Sequence, residues 1–202
     1  MSDTNIVISG ENDPYALFAT WFAEAGKTEI NDPNAMTVAT STADGMPSAR
    51  IVLMKDYDAQ GFVFYTNKQS RKGSELNATR RAALLFYWKS LHRQVRVEGI
   101  VEDVTDAEAD AYYATRARVS RLGAWASEQS RPLPARNDLE RRVAEVDAKY
   151  PGEAIPRPPH WSGYRVRPAR FEFWQDMPFR LHDRTIFTRD EAAGWVTSKL
   201  YP

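Results

Sequence analysis

The first clear pattern along the chain is a helical repeat of apolar residues. Asp13 can cap such a helix, and Pro14 fits its first turn. The residues that share one face at helical spacing are Leu17, Phe18, Trp21, Phe22 and Ala25. This spacing predicts an amphipathic helix that ends near Gly26.

Short β-type runs, divided by turn residues, follow this helix. They are MTVATS, SARIVLMKDYD, FVFYTN, AALLFYWK and RQVRVEGIVEDV. In the last run Val95 and Val97 alternate with Arg96 and Glu98, which is typical of a strand with one solvent-facing side. The turn segments ADGMP and AQG predict an antiparallel meander, and five successive strands favour a barrel or a sandwich.

Helical signals return between and after these strands. A short helix is predicted over 70–77, and the capping-box spacing of Thr105 and Glu108 predicts another that runs to about Arg116. VSRLGAWAS predicts a further short helix, 137–150 has the clearest amphipathic spacing, and PGEAIPRPPHW predicts a loop. The last three predicted strands are GYRVRPARFEFWQ, RTIFTR and GWVTSKLY.

These elements predict a mainly β protein with flanking α-helices, of the α+β class. A chain of 202 residues with 43% apolar and 27% charged residues is large enough for one domain with a complete core. We therefore expect a single domain over 1–202, with residues 1–12 as a mobile tail and the strands from about 163–202 completing the domain and a dimer.

Charge and cysteine content exclude several classes of function. The 27 cationic and 27 acidic side chains balance, which argues against a nucleic-acid partner held by a broad basic field. With no Cys, redox chemistry needs a bound cofactor. The N-terminus lacks a signal-peptide pattern and no apolar run is long enough to span a membrane, so we expect a cytoplasmic protein without a membrane partner. His92, His160 and His182 lack metal-ligand spacing, and we expect no metal.

The segment YTNKQSRKGSEL has the features of an anion site. Ser70 can cap a helix whose free N–H groups, with Arg71 and Lys72, point toward one anion such as a phosphate. A solvated basic turn is the alternative reading of this segment. Arg50 and Lys55 interrupt an apolar strand, where a cation requires an anionic partner. Gln94 in RQVRVEG suits the edge of a flat heterocycle, although such a residue is most often an ordinary strand position.

Together these segments resemble the pyridoxamine 5'-phosphate oxidase family. The motifs that carry the resemblance, in the family's order, are RIVLMKDYDAQGFVFYTN, SRKGSEL, RQVRVEG, SRLGAWASEQS, PRPPHWSGYR, EFWQ and RLHDR. The resemblance implies an FMN-binding split β-barrel that works as a homodimer, with FMN at the subunit interface. It also implies oxidation of pyridoxamine or pyridoxine 5'-phosphate to pyridoxal 5'-phosphate, with O2 reduced to H2O2.

The resemblance further implies which residues bind each ligand. The expected FMN-binding residues are Arg50, Ile51, Val52, Leu53, Met54, Lys55, Tyr65, Thr66, Arg71, Lys72, Gln94, Gln129, Ser130, Trp174 and Arg184. The expected substrate-binding residues are Lys55, Tyr112, Arg116 and Ser120 at the phosphate, with Arg180 and His182 at the pyridine ring. Arg180 and His182 are also the catalytic candidates, because they can orient the substrate and assist proton transfer.

Three segments depart from the family pattern. MSDTNIVISGEN lacks the arginine and aromatic residues of the segment that often folds over the substrate. Ala117 stands where a proline usually follows the arginine, and Asp176 to Phe179 replace a more glycine-rich stretch. Two alternatives remain open: a related FMN oxidase of the phenazine-biosynthesis type, and a split-barrel module that binds flavin or haem without turnover. The presence of Tyr112, Arg116 and Ser120 argues against the first alternative.

Overall fold

The first helix begins where the sequence predicts. The computed structural model describes residues 13–202, so the expected mobile tail and substrate-covering segment lie outside the described residues. Helix α1 spans Pro14–Thr28, two residues beyond the expected end, and the Asp13 carboxylate accepts a hydrogen bond from the Tyr15 N–H at 2.9 Å. Its buried face consists of Pro14, Leu17, Phe18, Trp21 and Ala25.

Within residues 13–202, nine strands form one sheet in which every pairing is antiparallel. They are β1 (Ala35–Ser41), β2 (Pro47–Leu53), β3 (Asp56–Asp58), β4 (Gly61–Asn67), β5 (Arg81–Trp88), β6 (Arg93–Asp103), β7 (Trp161–Gln175), β8 (Asp183–Asp190) and β9 (Gly194–Lys199). Their order is β2-β1-β5-β6-β7-β4-β3, with β8 and β9 beyond the second half of β7. The predicted meander is wrong, because β4 pairs with the distant β7 and β5 pairs with β1.

The segment SARIVLMKDYD forms two strands and not one. Strand β2 pairs with β1 as far as Leu53, and the Met54 N–H still bonds the Asn34 carbonyl at 2.9 Å. The next residue pairs with β4 and no longer with the β1 side, since the Lys55 N–H donates to the Val63 carbonyl at 2.8 Å. Strands β2 and β3 are the two ends of the sheet order, and the chain runs directly from one into the other here. This connection closes the sheet into a barrel.

In the described part of the chain, four further α-helices flank the barrel. They are α2 (Arg71–Thr79), α3 (Asp106–Thr115), α4 (Arg118–Ala126) and α5 (Arg136–Lys149). Both hydrogen bonds of the predicted capping box are present, between Thr105 and Glu108. Helix α5 packs on α4, and its predicted apolar face is only partly covered, with Leu139 37% exposed.

Aromatic side chains fill the barrel, and α1 lies against this core. Phe18 makes edge-on contacts with Phe62 and Phe86 at centroid distances of 4.9 and 5.1 Å, and Trp21 packs on Phe173 at 5.3 Å. Such pairs add to the stabilisation that comes from burying the rings. The predicted mainly β architecture with flanking helices is confirmed. Among the helices of residues 13–202, none is long and apolar enough to cross a membrane.

Candidate active site

A cavity of about 780 Å³ opens between β2, β4 and the helices α2, α3 and α4. Of the predicted cofactor residues, those that line it are Arg50, Ile51, Val52, Leu53, Lys55, Tyr65, Thr66, Lys72 and Gln129. All four residues predicted for the substrate phosphate line it too, namely Lys55, Tyr112, Arg116 and Ser120. Four cations and no carboxylate contribute to the described lining, so the cavity suits an anionic ligand.

Lys72 is the most deeply buried cation of this cavity, with 8% of its surface exposed. Its ammonium donates to the side-chain oxygens of Gln129 at 2.9 Å, Thr66 at 3.1 Å and Ser70 at 3.3 Å. In the described part of the chain, no carboxylate forms an ion pair with it. Burial lowers the pKa of Lys72, and the nearby charge of Arg50 lowers it further. A buried cation with only neutral partners is stabilised by a bound anion.

The local sequence explains how Lys72 reaches the cavity. The Ser70 hydroxyl caps α2 by accepting the Gly73 N–H at 3.3 Å, as predicted. A Cβ on Gly73 would lie 2.2 Å from the Lys68 carbonyl oxygen, so only glycine allows the turn to pack this closely against the helix. Because Ser70 is the N-cap, Lys72 lies in the first turn of α2, where the helix N-terminus favours negative charge.

Glu75 is a residue of this region that sequence reasoning missed. It is 4% exposed and accepts hydrogen bonds from Ser48 at 2.7 Å, from Arg71 at 2.8 Å, from Arg50 at 3.2 Å and from Thr40. Burial would raise the pKa of Glu75, but these hydrogen bonds lower it to about 2. Glu75 therefore ties α2 to β1 and β2 and fixes the direction of the Arg50 side chain.

Three stacked aromatic rings also line the cavity. The Tyr65 ring lies 4.2 Å from that of Tyr112 and 5.4 Å from that of Trp161, measured between centroids and with interplanar angles of 14° and 6°. Arg116 follows α3 as its C-cap and lies over Trp161, while the Lys55 ammonium lies 6.0 Å from the Tyr112 centroid. Trp161 lines the cavity but was not among the predicted site residues.

Three predicted FMN residues near this region do not line the cavity. Met54 is buried in the core with 4% exposure, at the point where the strand changes partner. Arg71 is 57% exposed and pairs with Glu75, and Ser130 is exposed with a φ of 71° in the loop after α4. Their assignment to FMN stays a prediction.

The remaining predicted residues form a separate strand-end cluster, which consists of Gln94, Trp174, Arg180, His182 and Arg184. Trp174 lies directly opposite Gln94 on one side and Arg184 on the other, so these three residues make a row across β6, β7 and β8. The His182 ring lies 4.7 Å from the Trp174 ring, and its Nδ1 lies 2.9 Å from the Asp176 carboxylate.

The strand-end cluster lies apart from the cavity within one chain, because none of its members lines that cavity. Trp161, at the start of β7, lines the cavity, whereas Trp174 lies 13 residues further along the same strand, which is about 43 Å of extended chain. One chain therefore presents the predicted site residues as two groups.

Comparisons with known proteins agree with this architecture. A family model described as pyridoxamine 5'-phosphate oxidase matches residues 22–150, and one described as the pyridoxine 5'-phosphate oxidase C-terminal dimerisation region matches residues 161–202. A pyridoxine/pyridoxamine 5'-phosphate oxidase of Caulobacter vibrioides is 65% identical over 192 residues, which cover 95% of this chain and 86% of that protein. One of Rhodospirillum rubrum is 62% identical over 197 residues, covering 95% and 98%.

Solved structures match over almost the whole chain as well. The crystal structure of PhzG from Burkholderia lata 383, in complex with tetrahydrophenazine-1-carboxylic acid, superposes with a TM-score of 0.90 at 34% identity and covers 96% of this chain and 95% of that one. A pyridoxamine 5'-phosphate oxidase-related, FMN-binding protein of Nostoc punctiforme, at 14% identity, shares the fold with a TM-score of 0.75, covering 94% and 98%.

The fold defines a split-barrel protein, which confirms the predicted fold. Within that class, the chain belongs to the pyridoxamine 5'-phosphate oxidase family.

Proposed function

We propose that this protein oxidises pyridoxamine 5'-phosphate and pyridoxine 5'-phosphate to pyridoxal 5'-phosphate, with FMN as its cofactor and O2 as the electron acceptor. The observation that carries the proposal is the cavity in which Arg50, Lys55, Lys72 and Arg116 occur without a carboxylate in the described lining. Both FMN and these substrates bring a phosphate of charge about −1.5 to −2, so one cavity needs several cations.

The donor set around Lys72 fits the phosphate of FMN. Lys72 is buried among the neutral oxygens of Thr66, Ser70 and Gln129, and the first turn of α2 adds free N–H groups. When bound, FMN would supply the redox step by accepting a hydride equivalent from the C4' carbon and passing two electrons to O2, which is released as H2O2. With the amine substrate, water would hydrolyse the resulting imine to the aldehyde and ammonia. The protein contributes binding and orientation around that step.

The second anion site of the cavity fits the substrate phosphate. Arg116 offers a guanidinium, Lys55 an ammonium, and Tyr112 and Ser120 hydroxyl groups to the same cavity. Binding of the phosphate through these groups, far from the reacting carbon, would hold the pyridine ring in one orientation. We expect this interaction to lower KM more than it raises kcat.

The strand-end cluster would complete the site from a second copy of the chain. Four of its members, Trp174, Arg180, His182 and Arg184, fall within the region that matches the family's dimerisation model. The pairing of His182 Nδ1 with Asp176 leaves Nε2 available to the pyridine ring or to a transferred proton. We infer a homodimer in which each site takes its cavity from one subunit and its Arg180 and His182 from the other.

A turnover assay on the purified protein tests the proposal. We expect stoichiometric bound FMN and coupled formation of pyridoxal 5'-phosphate and H2O2 from both phosphorylated substrates, with much lower kcat/KM for pyridoxine and pyridoxamine. Preparations that bind FMN but form no H2O2 with any of the four compounds would instead favour a flavin-binding module. Faster oxidation of a reduced phenazine carboxylate would favour an activity related to the ligand of the Burkholderia lata PhzG structure.

A further inference from the structure

Arg116 is a cation without a compensating negative charge. Burial lowers its pKa, and its Nη1 atom is inaccessible to solvent and has no hydrogen-bond partner in the described structure. Within residues 13–202, no carboxylate forms an ion pair with it. Aromatic rings take the place of an acid, because the guanidinium carbon lies 4.8 Å from the Trp161 centroid and 5.9 Å from that of Tyr113.

Trp161 is itself held firmly in place. Its side chain is 6% exposed, and it stacks on Tyr65 while Tyr113 contacts it edge-on at 5.1 Å. The Arg157 guanidinium donates to the Trp161 carbonyl at 2.8 Å and also pairs with Asp106 at 2.8 Å and Asp110 at 2.5 Å, both on α3. The strand that carries Trp161 is thereby fastened to the helix that precedes Arg116.

We propose that Trp161 is a positioning residue, which holds the Arg116 guanidinium by its face so that its N–H edge remains free for the substrate phosphate. This inference rests on the proposed function. A carboxylate in place of Trp161 would also fix Arg116, but it would occupy the N–H groups and cancel the charge that a phosphate requires. An aromatic ring stabilises the cation through its π-face and leaves the hydrogen-bond donors unpaired. Nη1 is buried without an acceptor, as expected where rings surround the guanidinium, so Nε and Nη2 are the donors left for the phosphate.

Steady-state kinetics of ring-changing variants test the proposal. Trp161→Leu should raise KM for pyridoxine 5'-phosphate about 2- to 30-fold, the range that corresponds to loss of a cation–π contact, while kcat stays within about twofold. Trp161→Phe keeps a smaller ring and should give a smaller rise, which covers the case in which the leucine variant folds poorly. KM for unphosphorylated pyridoxine should not change.

Trp125 provides a matched control, because its indole contacts Tyr150 and Lys149 and not Arg116. Trp125→Leu should leave the ratio of the KM values for phosphorylated and unphosphorylated substrate unchanged. In the Arg116→Ala background, Trp161→Leu should add little, since the contact that it removes is already absent. Equilibrium dialysis measures the affinity for pyridoxal 5'-phosphate without turnover, and it should rank the variants in the same order as KM does. FMN affinity is measured in parallel.

Two results would overturn the inference while leaving the proposed function intact. In the first, the wild-type enzyme turns over pyridoxine 5'-phosphate, and Trp161→Leu has the same KM for it as the wild type. The other is an equal rise of KM for the phosphorylated and the unphosphorylated substrate, which would reduce Trp161 to a packing role. A wild-type protein without any turnover of pyridoxine 5'-phosphate would overturn the proposed function, and with it the phosphate as the ligand of Arg116.

Discussion

Burial of the Lys72 ammonium is unfavourable in free energy when no ligand is bound, and an anionic ligand can offset this. Removing an ammonium from water destabilises it, and the oxygens of Thr66, Ser70 and Gln129 supply hydrogen bonds but no charge. Arg71, its neighbour in the sequence, is solvent-exposed and already paired with Glu75. Of the two cations that the SRKG motif brings together, Lys72 should therefore contribute more to cofactor binding.

We predict that Lys72→Met weakens FMN binding about 10- to 150-fold, the equivalent of one charge-assisted hydrogen bond of about 1.5 to 3 kcal/mol. Riboflavin, which lacks the phosphate, should bind the variant and the wild type alike. Titration of the apoprotein by flavin fluorescence measures both ligands. Lys68→Met is the control, because Lys68 lies in the same turn but pairs with Asp103 at 2.6 Å. An equal loss of FMN and riboflavin affinity would mean that Lys72 does not meet the phosphate.

Sequence predicts site residues with local signals, but not residues that depend on contacts with distant strands. The Ser70 cap and the place of Lys72, Tyr112 and Arg116 in the cavity lining could be predicted because helix caps, charges on a short turn and a known motif order are local signals. Glu75 was missed because a glutamate four residues after an arginine is typical of an exposed helix pair. Glu75 is buried because it bonds Arg50, Thr40 and Ser48, which lie on strands distant in the sequence. A single sequence carries no signal for those contacts.

At the scale of elements, Glu75 links helix α2 to strands β1 and β2, and this link depends on pH. The folded protein holds the pKa of Glu75 at about 2, below its ordinary value of 4.5. Its contribution to the free energy of unfolding is therefore complete above pH 4.5 and disappears as the pH falls from 4.5 to about 2.

We predict that Glu75→Gln lowers the free energy of unfolding at pH 7 by about 1 to 3 kcal/mol, because buried donors lose a charged acceptor. Chemical denaturation at several pH values should give curves of wild type and variant that converge toward pH 2. Glu145→Gln removes an exposed carboxylate, paired only with Arg141 in the described structure, and should change stability by less than about 0.5 kcal/mol. A difference between wild type and Glu75→Gln that is constant from pH 7 to pH 2 would contradict this account.

The turn before His182 has a strained backbone. Phe179 and Arg180 both have positive φ angles, 60° and 62°, and the Phe179 side chain is 92% exposed. This turn, Pro178–Arg180, overlaps the segment Asp176 to Phe179, where the family resemblance implies a more glycine-rich stretch. Residues other than glycine in this conformation cost about 1 kcal/mol or more, and the exposed ring recovers little of that cost within one chain.

We predict that Phe179→Gly raises the free energy of unfolding of the isolated chain by about 0.5 to 1 kcal/mol. Phe179→Ala removes the ring but keeps the unfavourable φ, and should give no such gain. Chemical denaturation compares the three proteins directly. If alanine and glycine stabilise equally, the effect comes from the exposed ring and not from the backbone.

Element-level prediction succeeded where patterns are local and failed where partners are distant. The capped starts of α1, α2 and α3 and the positions of most strands followed from the sequence. The break at Met54 did not, because alternating residues do not reveal that the chain leaves β1 and joins β4 there. The meander was wrong for the same reason, since β5 pairs with β1 across the intervening β2, β3, β4 and α2.

At the scale of the whole molecule, the outward face of the sheet is suited to a second subunit. Ile51, Tyr87 and Ile100, on three different strands, are between 51% and 72% exposed although they are large and apolar. Exposed apolar groups on one sheet face are typical of protein interfaces. The cavity and the strand-end cluster also remain apart within a single chain, so a dimer would both cover this face and bring the two groups together.

Complementation between two inactive variants tests this central claim most directly. One variant carries Lys72→Met and Arg116→Ala in the cavity, and the other carries Arg180→Ala and His182→Ala in the strand-end cluster. In a two-fold dimer with shared sites, a heterodimer of the two has one site with all four residues intact. We predict that heterodimers purified through two different tags regain about half of the wild-type activity per dimer. The assay uses FMN and substrate concentrations that saturate the wild type but lie far below the Kd and KM of the cavity variant, so that each parent homodimer remains nearly inactive. Heterodimers that form and bind FMN but are no more active than their parents would contradict a site shared between subunits.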